Sequence, residues 1–259
     1  MSLELRVIDL GKVSYQEAWV VQQRLQEERF RKQRPDTLIL VEHPPTVTLG
    51  GDEKWNVLKV PRETFAHREI DLVQAKRAGG AAYLGPGQLV GYTIMDIAPY
   101  GGVKNFLISV EQAMIQTAAD FGIEVRRHDT RNPTKERAYR ATWYELEGKF
   151  YVLCTKGIGV KMNLRGEEIT YRGLRGDLRL RPMITNHGFS LNVGKNHSYF
   201  DLIDPCGFPI SEIQPISIEE IMGSLPEMQK VKDRVVEHFK QIFGKSNIVY
   251  EKVEELAYA

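Results

Sequence analysis

From Thr37 to Val41, the segment TLILVEH (37–43) is apolar or β-branched at every position and shows no polar alternation. A strand of this kind has no face to give to water. Both its faces need a covering layer, and Pro44 and Pro45 end it because proline cannot donate to a ladder. A second central strand is read in LVGYTIMDI (89–97). Helices must supply the layers. Ser14 with Glu17 three residues later forms a capping box, which predicts a helix from there to about Gln33, stopped by Pro35. Phe106, Val110, Ala113, Met114, Thr117 and Phe121 recur at helical spacing, and Gly122 closes them, so an amphipathic helix is predicted over 103–121.

LELRVIDLG (3–11) reads as an opening strand, and TWYELEGKFYVLCTKGIGVKM (142–162) as a hairpin turning at Glu147 and Gly148. NHGFSLNV (186–193) reads as a further strand, and residues 217–243 as one or two helices under a polar tail. Hairpins among the strands argue against a doubly wound sheet. The fold class predicted is α/β (α+β): a single domain over 1–259 with a central mixed, largely antiparallel sheet flanked by helices.

Composition excludes several function classes. With 42% hydrophobic and 27% charged residues and a net charge of +1, the chain is neither disordered nor a globally basic nucleic-acid binder. No apolar run approaches the roughly 20 residues a membrane span needs, and MSLELRVIDLG is no secretory leader, so a cytoplasmic protein without a membrane partner is expected. Two cysteines, Cys154 and Cys206, are too few for a disulfide framework and lack the paired spacing of a zinc site, so no metal is expected.

Three places could carry chemistry. In FDLIDPCGFP (200–209), Pro205 and Gly207 set Cys206 on a turn where few side chains can cover it. A lone cysteine is either a small core hydrophobe or a nucleophile, and the second role needs partial exposure beside a positive or basic neighbour. His187 and Lys156 are candidate neighbours, against the readings of a histidine satisfied by backbone groups and a solvated strand lysine. AGGAAYLGPGQLVGY (78–92) crowds five glycines around a strand entrance. It has neither GxxxxGK[ST] nor GxGxxG, which leaves a tight packed turn or a slot lined by backbone and small side chains that would take an acyl chain.

The ordered blocks DTLILVEHPPTVTLG, RAGGAAYLGPGQLVGY, GIGVKM, NHGFSLNV and FDLIDPCGF, spread over residues 5–215, resemble the lipoyl(octanoyl) transferase family of lipoate synthesis. That family is related in fold to the catalytic domains of lipoate and biotin ligases. The resemblance implies an acyltransferase without a cofactor, taking an octanoyl or lipoyl group from an acyl carrier protein to a lysine of a lipoyl carrier domain. It implies catalysis by Cys206 through a thioester, with a lysine as base. Substrate contacts are implied for Arg77, Gly79, Gly80, Ala81, Ala82, Tyr83, Leu84, Gly85, Gly87 and Gln88, for Gly159, for His187 and Gly188, and for Gly207.

The chain departs from the family's pattern. Ala78, Ala82 and Leu84 stand where glycine, threonine and histidine are usual, and Cys154 stands at the usual lysine. Lys156, two residues on, shares strand parity with Cys154, while Lys149 and Lys161 are further candidates for the base. Two alternatives stay open: an amidotransferase between carrier domains using the same cysteine, and a non-catalytic paralogue that binds acyl groups or carriers. An arginine-rich insertion from Asn163 to Pro182 and a helical extension from about Ser217 complete the comparison. Arg165, Arg172, Arg175, Arg179 and Arg181 of the insertion, with Arg126, Arg127, Arg131, Lys135, Arg137 and Arg140, are expected to ring a pocket mouth for an acidic carrier.

Overall fold

Ser14 caps the first helix as its spacing implies. In the computed structural model, which describes residues 3–130, 139–147, 149–164, 167–171, 182–195 and 199–253, the Ser14 hydroxyl accepts the Glu17 N–H at 3.2 Å. The Glu17 carboxylate in turn accepts the Ser14 N–H at 2.8 Å. The helices are α1 (Tyr15–Phe30), α2 (Arg62–His67), α3 (Val103–Ala119), α4 (Ile218–Met222) and α5 (Met228–Ile242). α1 ends earlier than expected because Lys32 turns left-handed, φ 60°.

The strands, in chain order, are β1 (Glu4–Lys12), β2 (Asp36–Glu42), β3 (Thr46–Leu49), β4 (Val57–Leu58), β5 (Asp71–Gln74), β6 (Ala82–Leu84) and β7 (Gln88–Ile94). They continue with β8 (Val125–Thr130), β9 (Tyr139–Leu146), β10 (Lys149–Leu164), β11 (Glu167–Tyr171), β12 (Ile184–Asn192), β13 (Ile203–Asp204), β14 (Gln214–Pro215) and β15 (Asn247–Glu251). The main sheet runs β15-β1-β2-β7-β12-β10-β9-β8, with β11 and β14 added to β10. It is mixed: β15, β1 and β2 are mutually parallel, β14 is parallel to β10, and the remaining pairs are antiparallel. A three-stranded sheet, β5-β3-β6, and the pair β13-β4 stand apart from it.

β2 is covered on both faces, as its composition demands. Leu38 and Leu40 join the core under α3 and α5, while Ile39 and Val41 join the core under α1. The first core includes Phe106, Val110 and Met114 of α3 with Val235 and Phe239 of α5. The hairpin turns where expected, with Leu146 opposite Lys149 and Glu147 left-handed at φ 50°.

The tail after α5 differs from expectation. Residues 247–251 form β15, parallel to β1. Two ion-pair systems hold it. Arg34 grips Glu251 with two bonds of 2.7 and 2.9 Å, and the fully buried Lys245 ammonium meets Asp36 at 2.5 Å. The second carboxylate oxygen of Asp36 accepts from Arg29 at 2.8 Å and from the Asp96 N–H at 3.1 Å. The polar letters of this segment are therefore partners of buried charges. Residues 172–181, which hold Arg172, Arg175, Arg179 and Arg181, lie outside the described residues, as do Arg131, Lys135, Arg137 and Arg165. Among the described residues no helix is long and apolar enough to cross a membrane.

The asymmetry of the Asp36 cluster gives a stability prediction. Asp36→Asn takes the carboxylate away from both the buried Lys245 ammonium and Arg29 and should lower the unfolding free energy by about 3 kcal/mol. Lys245→Met leaves Asp36 with Arg29 and should cost about 1.5 kcal/mol. Urea unfolding of both variants at neutral pH checks this, and equal losses would rule out the lost carboxylate as the cause of the difference.

Candidate active site

Cys206 sits in a short 3-10 turn, Pro205–Gly207, with φ 52° and ψ 28°. A non-glycine residue in the left-handed region costs energy that neighbours must supply. Here the Cys206 N–H donates to Ala81 O at 2.9 Å, and Gly207, also left-handed at φ 75°, lies flat on Trp55. A Cβ at Gly207 would stand 2.5 Å from the indole Cε3, so the turn is clamped by an aromatic face that no other residue type admits. The thiol is half-buried, whereas Cys154 is buried.

The glycine-rich segment approaches the sulfur by its backbone. At Gly79 (φ 87°) a Cβ would lie 3.2 Å from Cys206 Sγ and 3.6 Å from Arg77 Nη1, so thiol and guanidinium border the same α-carbon. Arg77 is held by neutral oxygens: it donates to Ala78 O at 3.1 Å, Thr48 O at 2.9 Å and Thr48 Oγ1 at 2.6 Å.

A cavity of about 340 Å³ opens from this turn. Its wall takes Arg77, Gly79, Ala81, Ala82, Tyr83, Leu84 and Gln88 from the glycine-rich segment, and Cys206 from the turn. β10 contributes Lys156 and Ile158, β12 contributes His187, Gly188 and Phe189, and α3 contributes Val103 and Leu107. Most of these side chains are apolar, so the space suits a hydrocarbon chain. Gly80, Gly85, Gly87, Gly159 and Gly207 are not on this wall. Close packing on protein accounts for them: Gly80 and Gly207 on Trp55, Gly85 on the Tyr83 hydroxyl, Gly87 on Gly194 and Gly159 on Asn186. Sequence reasoning grouped them with the ligand wall because glycine signals close approach without saying to what.

His187 is left-handed, φ 55°, and its ring is nearly parallel to two others: Trp19 at 5.0 Å and 4°, Tyr15 at 6.3 Å and 11°. Its N–H donates to Gln22 Oε1 at 2.8 Å. Burial, helped by the charge of Arg77 and opposed by a hydrogen bond with the Lys76 backbone, pulls its pKa down to about 3. The imidazole is therefore neutral at physiological pH, and its buried Nε2 has no hydrogen-bond partner among the described residues. Tyr92, also on the wall, donates its hydroxyl proton to His43 Nε2 at 2.7 Å, since His43 Nδ1 faces the Val13 carbonyl at 2.8 Å and must carry the hydrogen.

Strand alternation sends Lys156 to the same side as Cys154, the side of α3. There its ammonium pairs with Glu111, and its side chain is 7% exposed, not solvated. Burial lowers the amine's proton affinity below the usual lysine value, with Arg127 adding to the fall and Glu111 opposing it. Burial pushes the Cys154 thiol well up, so it stays protonated. Lys149 is exposed at the hairpin turn and is not on the cavity wall, and the Lys161 side chain lies outside the described residues. Of the arginines expected at a pocket mouth, Arg126 pairs with Glu145 at 3.0 Å and Arg127 with Glu111 at 2.7 Å. Among the described residues no cluster of three His, Cys, Asp or Glu could hold a metal ion.

Glu111 escaped sequence reasoning. The signal was available, since a glutamate one residue after Val110 and four after Leu107 falls within the apolar stripe of α3.

Comparison with known proteins agrees with this architecture. Octanoyltransferase of Chloroflexus aggregans is 33% identical over 241 residues, covering 92% of this chain and 95% of that protein. Octanoyltransferase of Chloroflexus aurantiacus is 32% identical over 255 residues, covering 98% of both. Among solved structures, lipoate-protein ligase A bound with ATP superposes with a TM-score of 0.64 at 11% identity, over 99% of this chain and 93% of that one. A bi-partite lipoate protein ligase from Thermoplasma acidophilum, solved in work on its E2 lipoyl domain, gives 0.63 at 13% identity over 98% and 90%. These two share the fold. A family model, the lipoyl protein ligase A/B catalytic domain, matches residues 14–146, and with such relatives along nearly the whole length the chain belongs to that family.

Proposed function

We propose that this protein is an octanoyltransferase of lipoate metabolism that works through a thioester on Cys206. The observation that carries the reading is the apolar cavity whose wall takes both Cys206, on its strained turn, and Lys156, whose side chain is buried. The octanoyltransferase relatives support the choice of acyl group.

In the first half-reaction Lys156, in its amine form, takes the proton of the Cys206 thiol, and Sγ attacks the carbonyl of an octanoyl thioester carried by an acyl carrier protein. The Cys206 and Phe208 N–H groups are spent on Ala81 O and Pro205 O, at 2.9 and 3.1 Å, so neither is available to the oxyanion. Collapse of the intermediate breaks the carbon–sulfur bond to the carrier, whose thiolate leaves with the proton held by Lys156. In the second half-reaction the amine of a lysine on a lipoyl carrier domain attacks the acyl-enzyme and gives its proton to Lys156. The Cys206 sulfur leaves, recovers that proton, and an amide is formed. The octyl chain lies along Ala81, Ala82, Leu84 and Leu107, and the neutral imidazole of His187 adds no charge to this apolar space.

Two outcomes check the reading. Incubated with an octanoyl thioester and weighed intact, the wild-type protein and Cys154→Ala should each gain one octanoyl group. Cys206→Ala should gain none while keeping its circular dichroism. An adduct on Cys206→Ala would sink the thioester. Gly79→Ala should slow acylation by about a hundredfold, because the added methyl meets Sγ on a backbone already left-handed. An unchanged rate would mean that the Gly79 backbone does not set the position of the sulfur.

A further inference from the structure

α3 buries Phe106, Val110, Ala113 and Met114 against the sheet, and in their midst it buries a carboxylate, Glu111, at 4% exposure. An ionised group in such a place is costly unless paired, and a buried ion pair is seldom kept for stability, since apolar residues of like size do as well or better. The two oxygens of Glu111 serve cations of different standing. Oε1 accepts from Lys156, an interior group on the cavity wall. Oε2 accepts from Arg127 Nε of β8 at 2.7 Å, and that side chain is 39% exposed and also donates to Ile108 O at 3.3 Å. Leu107, one turn before Glu111 on the same helix face, lies on the cavity wall with Lys156. The carboxylate thus joins a partly exposed arginine to a lysine of the cavity wall.

We propose that Glu111 is the positioning residue that holds Lys156 in the cavity wall, and that Arg127, on the other oxygen of that carboxylate, sets how strongly Glu111 retains the lysine's proton. The inference deepens the reading of Lys156 as the base and rests on it. Glu111 is not among the residues of the cavity wall; it acts through the amine. The groups facing Lys156 are Glu111 from α3, Arg127 from β8 and Cys154 from its own strand, with Cys206, Arg77, His187 and Tyr15 also bordering the cavity. Cys154 remains a thiol and His187 a neutral imidazole through the neutral range, so neither masks the lysine there. Glu111 favours the ammonium, and Arg127 disfavours it. Removing each should therefore move the amine's titration in opposite directions, which no purely structural role would do.

The test is the pH dependence of Cys206 acylation, followed by intact mass with octanoyl N-acetylcysteamine thioester as donor. In the wild-type protein the rate rises with pH as Lys156 loses its proton. Glu111→Gln should move that rising limb to lower pH by about one unit or more. Arg127→Gln should move it to higher pH by a smaller amount. Limbs that stay in place, or that move in the same direction, overturn the proposal. Should Glu111→Gln fail to fold, the upward shift of Arg127→Gln, whose side chain is partly exposed, decides alone. Lys156→Ala separates this from the underlying reading: it should lose the limb and about a hundredfold in rate. A Lys156→Ala protein that retains the wild-type limb overturns the base assignment itself, and the positioning proposal with it.

Discussion

β12 joins the two halves of the main sheet. On one side it pairs with β7, Gly188 opposite Tyr92 through Asn192 opposite Gln88; on the other it pairs with β10, Ile184 opposite Lys161 through Leu191 opposite Cys154. All nine of its residues are buried, so its register cannot slip by one without carrying its apolar residues to the wrong core. That register sets Phe189 against Lys156 and Gly188 against Gly157, and the cavity forms where these glycines withhold side chains. The local break at His187, left-handed within the strand, turns its imidazole to the stack with Trp19 and Tyr15 of α1. The site thus depends on one strand that is regular enough to fix two neighbours and irregular at a single residue.

Burial also decides the charge states around the thiol. It lowers His187 to about 3, raises Cys154, and draws Lys156 below the ordinary lysine value. Three titratable side chains close to one cavity are all pushed toward their neutral forms by the same desolvation. In such surroundings the charges of Glu111 and Lys156, both buried, interact strongly because little water screens them, and Arg127 meets Glu111 from a partly exposed position.

Local rules made much of this legible in the sequence. The capping box at Ser14, the stripe of α3, the turn at Glu147 and the double-sided burial of Leu38 to Val41 all follow from neighbours within one element. Cys206 could be singled out because proline and glycine flank it. What the sequence hid were pairings between distant segments. β15 reads as polar because Glu251 and Lys245 answer Arg34 and Asp36, more than two hundred positions away. Gly80 and Gly207 read as ligand contacts because nothing nearby reveals Trp55 as their neighbour. The small sheet β5-β3-β6 likewise escapes a periodicity argument, since its strands are three or four residues long.

The parallel docking of β15 on β1 also bears on the order of assembly. β1 is made more than two hundred residues before the segment that pairs its outer edge, which among the described residues is 247–251. Until they arrive, that edge shows unpaired amides and carbonyls, and Asp36 waits for the ammonium that faces it in the finished fold. Closure of so long a loop is entropically slow, so the nascent chain passes through a stage with an open template for strand addition. Any chain cut short before Lys245 would remain at that stage, prone to pair with its own copies.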